Sequence, residues 1–379
     1  MEWEVLIKIV KSGSMLNMEK NACIGKFRII RKIAEGGEGI VYLAEDEKLH
    51  QYNAVKFAFG NRDGRERRAL REEAERLASL SDRRVPYLVD LAEGHDYTAE
   101  IMEYVEGETL SGYLKSRFPL KSDDALRLML RVTDLIAYLH ENRPPVIYRD
   151  IKPDNFIVAG DGSIRLVDMG TALFGYGSTE AEIKSGTPGY AAPEQFTGRR
   201  IGREADVHAL GILYAYMLTG MDPVRNGRKN SLNACAAIAD RETYRLIKKC
   251  TADEPEERFS NAREVMDNLE SIRDKRSVTR LAAAIGSLLS NALVWGSIAD
   301  MTIAGLKAGD VTAYELFKGA ANIYGLLEMF YSSGFLEYHI FVSSFIVLLT
   351  LLVKNVISDA GGKNGFVISY DWNELYTEK

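Results

Sequence analysis

Between residues 25 and 59 the chain alternates: Phe27, Ile29 and Ile33 lead into a cluster of glycines, and Val41, Leu43, Ala54 and Phe57 follow it. Period-two alternation around a glycine turn predicts twisted antiparallel strands. From 65 to 80 the period changes. Leu70, Ala74, Leu77 and Leu80 recur at helical spacing among charges, which predicts an amphipathic helix with an exposed face. Two more strands are predicted over 87–94 and 97–105. Beyond Gly107 helical patterns dominate as far as Glu270, broken by a Pro- and Gly-rich stretch from 144 to 189. A small β-rich lobe followed by a larger helical lobe, an α+β architecture, is therefore expected. After Arg280 the charges thin out: 281–299 and 338–353 contain no Asp, Glu, Lys or Arg.

Composition narrows the class only slightly. With 379 residues, 46% hydrophobic and 27% charged, the chain has the balance of an ordinary globular protein. Its formal net charge of −6 gives no support for a nucleic-acid-binding surface, and no nucleic-acid partner is expected. Cys23, Cys235 and Cys250 lie far apart and form no CxxC pair, so reduced thiols in a reducing compartment are expected. The apolar run at the start is too short and interrupted for a secretory leader, and Met15 and Met18 are alternative starts.

Five segments carry candidate chemistry. Ile33-Ala34-Glu35-Gly36-Gly37-Glu38-Gly39-Ile40-Val41 joins two predicted strands, and glycines let backbone close over polyphosphate where a Cβ would collide. Taken alone, such a cluster is more often an ordinary hairpin turn. In Asn53-Ala54-Val55-Lys56-Phe57 a lysine sits in an apolar strand, which is costly unless its ammonium is paired. Glu72, Glu73 and Glu75 on the predicted helix are available carboxylates. Between two apolar runs, Val146-Ile147-Tyr148-Arg149-Asp150-Ile151-Lys152-Pro153-Asp154-Asn155-Phe156-Ile157-Val158 sets an acid, a cation and an amide at fixed offsets. Leu166-Val167-Asp168-Met169-Gly170 puts a carboxylate at a strand end. Gly186-Thr187-Pro188-Gly189-Tyr190-Ala191-Ala192-Pro193-Glu194 precedes Asp206-Val207-His208-Ala209-Leu210-Gly211 on a helix.

In this order the five segments resemble the eukaryotic-like protein kinases, in particular the bacterial Ser/Thr branch, over roughly residues 25–273. The resemblance implies a two-lobed kinase fold, a β-rich N-lobe over a helical C-lobe, with ATP between them. It also implies transfer of the γ-phosphate of ATP to Ser or Thr hydroxyls of protein substrates, with Mg²⁺ as cofactor. By the same resemblance Lys56 contacts the α- and β-phosphates, with Glu73 as its helical partner and Glu72 as the alternative. Gly36, Gly37 and Gly39 cover the phosphates. Val41 and Ala54 roof the adenine and Ile157 floors it. Met102 is the gatekeeper, and the backbone of Glu103 and Val105 pairs with the adenine edge. Asp150 is the catalytic base, Lys152 marks Ser/Thr specificity, and Asn155 and Asp168 hold Mg²⁺. Thr187 hydrogen-bonds near Asp150, and Glu194 with Arg258 forms a buried ion pair of the large lobe.

Four positions depart from the family pattern. Ala34 stands for the first glycine, Glu38 is at the loop tip, Tyr148 replaces a histidine, and Met169 replaces a phenylalanine. None of them removes a group that touches phosphate, metal or the transferred proton. Arg149 beside Asp150 suggests control by phosphorylation at Ser178, Thr179 or Ser185, and a homodimer for autophosphorylation is an admissible partner. A pseudokinase that binds nucleotide and signals through partners is the alternative.

The chain is thus expected to divide into an N-terminal extension (1–24), a kinase domain (25–273), a basic linker (274–280), a helical region (281–357) and a tail (358–379). A bilayer span needs roughly 17–25 apolar residues, and 281–299 and 338–357 are the candidate transmembrane segments. Arg273, Lys275, Arg276 and Arg280 before the first of them predict a cell-membrane protein with its kinase domain cytoplasmic. A soluble cytoplasmic chain with a helical appendage is the alternative.

Overall fold

Six antiparallel strands build the sheet of the first lobe. The structure, a computed structural model, describes residues 9–12, 15–18, 22–36, 39–59, 64–175, 186–197 and 199–307, with backbone alone before residue 22 and from 288 onward. β1 (Ile9–Ser12) and β2 (Met15–Met18) pair antiparallel as a separate hairpin, which the strand prediction did not include. β3 (Cys23–Ile24), β4 (Phe27–Gly36), β5 (Gly39–Asp46), β6 (Gln51–Phe59), β7 (Leu88–Glu93) and β8 (Tyr97–Glu103) form one antiparallel sheet in the order β3-β4-β5-β6-β8-β7. α1 (Arg65–Ala78) packs against β6, β7 and β8.

Register decides which side chains share a face, because side chains alternate along a strand and opposite partners project together. One face carries Ile40, Tyr42, Val55, Phe57, Ala99 and Ile101, which belong to a single buried cluster. On the other, Val41 stands opposite Lys56 and Lys56 opposite Glu100. In the next row Leu43 faces Ala54 and Ala54 faces Met102. Gly39 opens β5 with φ +137°, and an added Cβ would lie 2.4 Å from the carbonyl oxygen of Phe57, so the close approach of β6 requires glycine there.

The second lobe is helical. β9 (Glu108–Thr109) leads into α2 (Leu110–Lys115) and α3 (Ser122–Glu141). β10 (Val146–Ile147) then precedes β11 (Phe156–Val158), β12 (Ile164–Leu166) and β13 (Leu173–Phe174). β12, β11 and β9 form one small sheet, and β10 pairs with β13. α4 (Glu194–Thr197) and α5 (Arg203–Thr219) follow. α5 is buried on every side from Ala205 to Leu218, the mark of a helix through the middle of a core, and ends on Gly220 in the left-handed region. α6 (Pro223–Asn226), α7 (Arg228–Ile238) and α8 (Arg241–Cys250) follow, and α3, α7 and α8 pack against α5.

The chain divides into two compact units, Met1–Lys275 and Arg276–Lys379. The last helix, α9 (Ala262–Lys307), buries Ala262, Val265, Leu269 and Ile272 within the first unit. Among the described residues no helix is long and apolar enough to cross a membrane. The segment 281–299 lies in α9, with side chains described only to residue 287, and 338–357 lies outside the described residues.

Candidate active site

The catalytic-loop candidates are placed by backbone bonds to α5. Asp206 at its first turn accepts from the backbone N–H of both Tyr148 and Arg149, at 2.7 Å each, and from buried His140 at 2.9 Å. Arg149 holds φ +68°, uncommon for a non-glycine residue, and its carbonyl accepts from Gln195 at 2.9 Å. These bonds turn Asp150 out of the loop. Its Oδ1 accepts from the Thr187 N–H (3.0 Å) and hydroxyl (2.7 Å), and its Oδ2 from Asn155 Nδ2 (2.9 Å), with Lys152 Nζ at 2.6 Å. Lys152 also donates to Thr187 Oγ1 at 3.0 Å. Asp150, Lys152, Asn155 and Thr187 are therefore one hydrogen-bonded cluster.

The second cluster joins the sheet to the large lobe. Lys56 Nζ lies 2.7 Å from both carboxylate oxygens of Glu73 and 3.0 Å from Asp168 Oδ1. Of the helical acids, Glu73 is the one at Lys56, while Glu72 turns to Arg76. Asp168 also accepts from the Gly170 N–H at 3.1 Å. Burial opposes its ionisation, but the Lys56 ammonium and that N–H hold its carboxyl below the ordinary carboxylate range. The Val167 N–H donates to the Asn155 carbonyl at 3.2 Å, which ties the two clusters together.

The residues expected to contact nucleotide are located by strand register and burial. Val41, Ala54 and Met102 share the sheet face with Lys56, and Ile157 stands on β11 opposite Thr109. Glu103 ends β8 with its N–H donated to the Tyr87 carbonyl, and Val105 follows, buried. Gly36 and Gly39 are opposite partners at the β4–β5 turn, whereas Gly37 and Glu38 lie outside the described residues. So do the phosphorylation candidates Ser178, Thr179 and Ser185. Tyr148 and Met169 are both buried in the core of the large lobe.

With this geometry in place, comparison with known proteins is decisive. The protein kinase domain family matches residues 27–284, more than half of the chain. This chain belongs to that family. Serine/threonine-protein kinase PrkC of Bacillus subtilis is 33% identical over 267 residues, 66% of this chain and 41% of PrkC. Serine/threonine-protein kinase PknA of a Nostoc species is 29% identical over 65% of this chain and 47% of its own. For serine/threonine-protein kinase PknF of Mycobacterium tuberculosis the figures are 31%, 53% and 44%. The chain thus spans less than half the length of each of these relatives.

Within this kinase domain three residues had no role assigned from the sequence, although Asp206 opens one of the candidate segments. Asp206 and Gln195 act on loop backbone, which residue spacing does not display. Glu100 was within reach: an acid in the run Tyr97-Thr98-Ala99-Glu100-Ile101-Met102 is as anomalous as Lys56 in its own strand. It is fully buried. Burial first, and then the charge of Glu73, push its carboxyl from the ordinary 4.5 up to about 9, against the pull of Lys56. A carboxyl that keeps its proton when folded and loses it when unfolded removes stability as pH rises from about 4.5 to about 9. Glu100→Gln, neutral at every pH, should therefore raise stability at pH 8, by up to about 5 kcal/mol, and by far less at pH 5. Thermal unfolding in the two buffers measures this, and equal melting temperatures at pH 8 would contradict it.

Proposed function

We propose that this kinase domain transfers the γ-phosphate of ATP to serine or threonine hydroxyls of proteins. The observation that carries the reading is the pair of clusters, Lys56–Glu73–Asp168 and Asp150–Lys152–Asn155–Thr187, tied together by the Val167–Asn155 backbone bond, with Val41, Ala54 and Met102 on the sheet face of Lys56. In the proposed reaction the acceptor hydroxyl approaches Asp150, which takes its proton as the oxygen attacks the γ-phosphorus. The bond from that phosphorus to the bridging oxygen breaks, and ADP leaves with the electron pair. Lys152 and Lys56 offset phosphate charge on the two sides of the transferred group, and Thr187 fixes Asp150 in line.

The donor set suits Mg²⁺. Asp168 is ionised by its surroundings. Asn155 spends its amide nitrogen on the carbonyl and carboxylate of Asp150, which leaves its amide oxygen to offer a hard cation. Among the described residues there is no group of three or more His, Cys, Asp or Glu side chains that could hold a metal. Asp168 and Asn155 would therefore share the ion with phosphate and water, the usual habit of Mg²⁺. When bound, the ion neutralises developing phosphate charge.

The test uses γ-labelled ATP, Mg²⁺ and a basic protein acceptor, followed by phosphoamino-acid analysis. Label in phosphoserine or phosphothreonine is expected. Label in phosphotyrosine alone would overturn the specificity, and nucleotide binding without any transfer would favour a pseudokinase.

We infer further that the chain is attached to the cytoplasmic face of a membrane through 281–357. The uncharged run 281–299, its basic flank of Arg273, Lys275, Arg276 and Arg280, and the second run from 338 support this. Full-length protein should sediment with membranes and require detergent, and a 1–276 truncation should not. A full chain that stays in the supernatant without detergent defeats the inference.

A further inference from the structure

Three acids surround one ammonium. Glu73 and Asp168 take up Lys56 by direct contact. Glu100 stands directly opposite Lys56 in the β6–β8 register, so the two side chains project from the same face of the sheet. It is 0% exposed, and neither carboxyl oxygen has a hydrogen-bond partner among the described residues. Buried polar groups are normally satisfied, and leaving one unpartnered is costly. Here that cost is met across the ladder from the Lys56 ammonium, which is able to remove it. Of the cations α1 turns to the sheet, Arg67 is engaged with Thr98 Oγ1 and the carbonyls of Gly94 and His95, and Arg71 with Glu93 of β7. Lys56 from β6, Glu73 from α1 and Asp168 after β12 are the charged groups acting on Glu100.

We propose that Glu100 is a reserve partner for Lys56, a positioning residue that takes the ammonium when Glu73 withdraws. Glu73 belongs to a helix laid on the sheet, whereas Glu100 and Lys56 belong to neighbouring strands whose spacing is set by the ladder. In the exchange the Glu100 carboxyl O–H bond breaks and its proton leaves to solvent. The resulting carboxylate pairs with Lys56, which stays protonated. Loss of a buried ionic partner is costly; Asp168 would then hold the ammonium without Glu73, and the reserve acid restores a second carboxylate partner. Movement of α1 away from the sheet is then less costly, and Lys56 remains ordered when it happens.

The inference rests on the reading of Lys56 as the phosphate lysine, so one arm of the test is independent of turnover. Full-length wild type, Glu73→Gln, Glu100→Gln and the double variant are compared for kcat/KM toward ATP and KM for a peptide. The double variant should lose at least about tenfold more in kcat/KM for ATP than the product of the single losses, a coupling of about 1.4 kcal/mol. Peptide KM should not share the excess. Losses that simply multiply overturn the proposal.

Because the double variant may not fold, infrared difference spectra of the singles without nucleotide give the second reading. A protonated-carboxyl band present in wild type and missing in Glu100→Gln should also be missing in Glu73→Gln, where Glu100 has ionised. Its persistence in Glu73→Gln overturns the proposal whatever the enzyme transfers.

Discussion

Asp150→Asn should lower kcat by about 10²–10⁴ while KM for ATP changes no more than a few-fold. Every group directed at the Asp150 carboxylate is able to donate: Asn155 Nδ2, Lys152 Nζ, and the Thr187 N–H and hydroxyl. An amide of the same shape loses one acceptor oxygen and turns its own N–H₂ toward donors. It also cannot receive the substrate proton at neutral pH. In the proposed reading ATP is held elsewhere, by Lys56 and the sheet face that carries it, and Asp150 is not among the partners of Lys56, which include Glu73 and Asp168. Steady-state kinetics with peptide and with ATP separate the two effects. A variant that retained more than a tenth of kcat would remove Asp150 from the role of base.

Arg258→Met should destabilise the kinase domain by about 3–5 kcal/mol, the usual cost of leaving one member of a buried ion pair alone. Arg258 is joined to Glu194 through two nitrogens at 2.6 and 3.0 Å, with both side chains almost wholly inaccessible. It also donates to the carbonyls of Ala252, Glu204 and Asp253. Truncation therefore leaves a charged carboxylate and three carbonyl oxygens without their donor. At roughly 2–4 °C per kcal/mol for a domain of this size, the melting temperature should fall by about 10 °C. Differential scanning calorimetry reads it directly, and a fall under 2 °C would mean that water replaces the guanidinium at little cost.

Much of the site was visible in the order of residues, for identifiable reasons. Lys56 betrayed itself by breaking an apolar strand, Asp150 and Asn155 by an acid and an amide at fixed offsets between apolar runs, and Asp168, a strand-end acid, was singled out by the resemblance. The strand register then places Val41, Lys56 and Ala54 on one face, as period-two alternation requires. What escaped was the role of residues that act through the main chain. Asp206, noted in its helical segment without a task, stands 56 residues beyond Asp150 and accepts from two loop N–H groups and a histidine. Its type, a carboxylate near the start of an apolar helix, also suits an ordinary first-turn acid. The β1–β2 hairpin escaped because its alternation is too short to outweigh loop chemistry around it. Glu100 obeyed the rule that found Lys56, but it lay outside the motifs that drew attention.

Because Asp206 is rooted in a helix enclosed by protein on all sides, the segment bearing Asp150 has no independent way to loosen. Distorting it means drawing α5 out of the interior, which is the same event as losing the large lobe. The reactive carboxylate thus shares the durability of the deepest part of the molecule, while the lysine above it sits on a thinner layer. Heat or denaturant should therefore disturb the grip on nucleotide before it disturbs the proton acceptor.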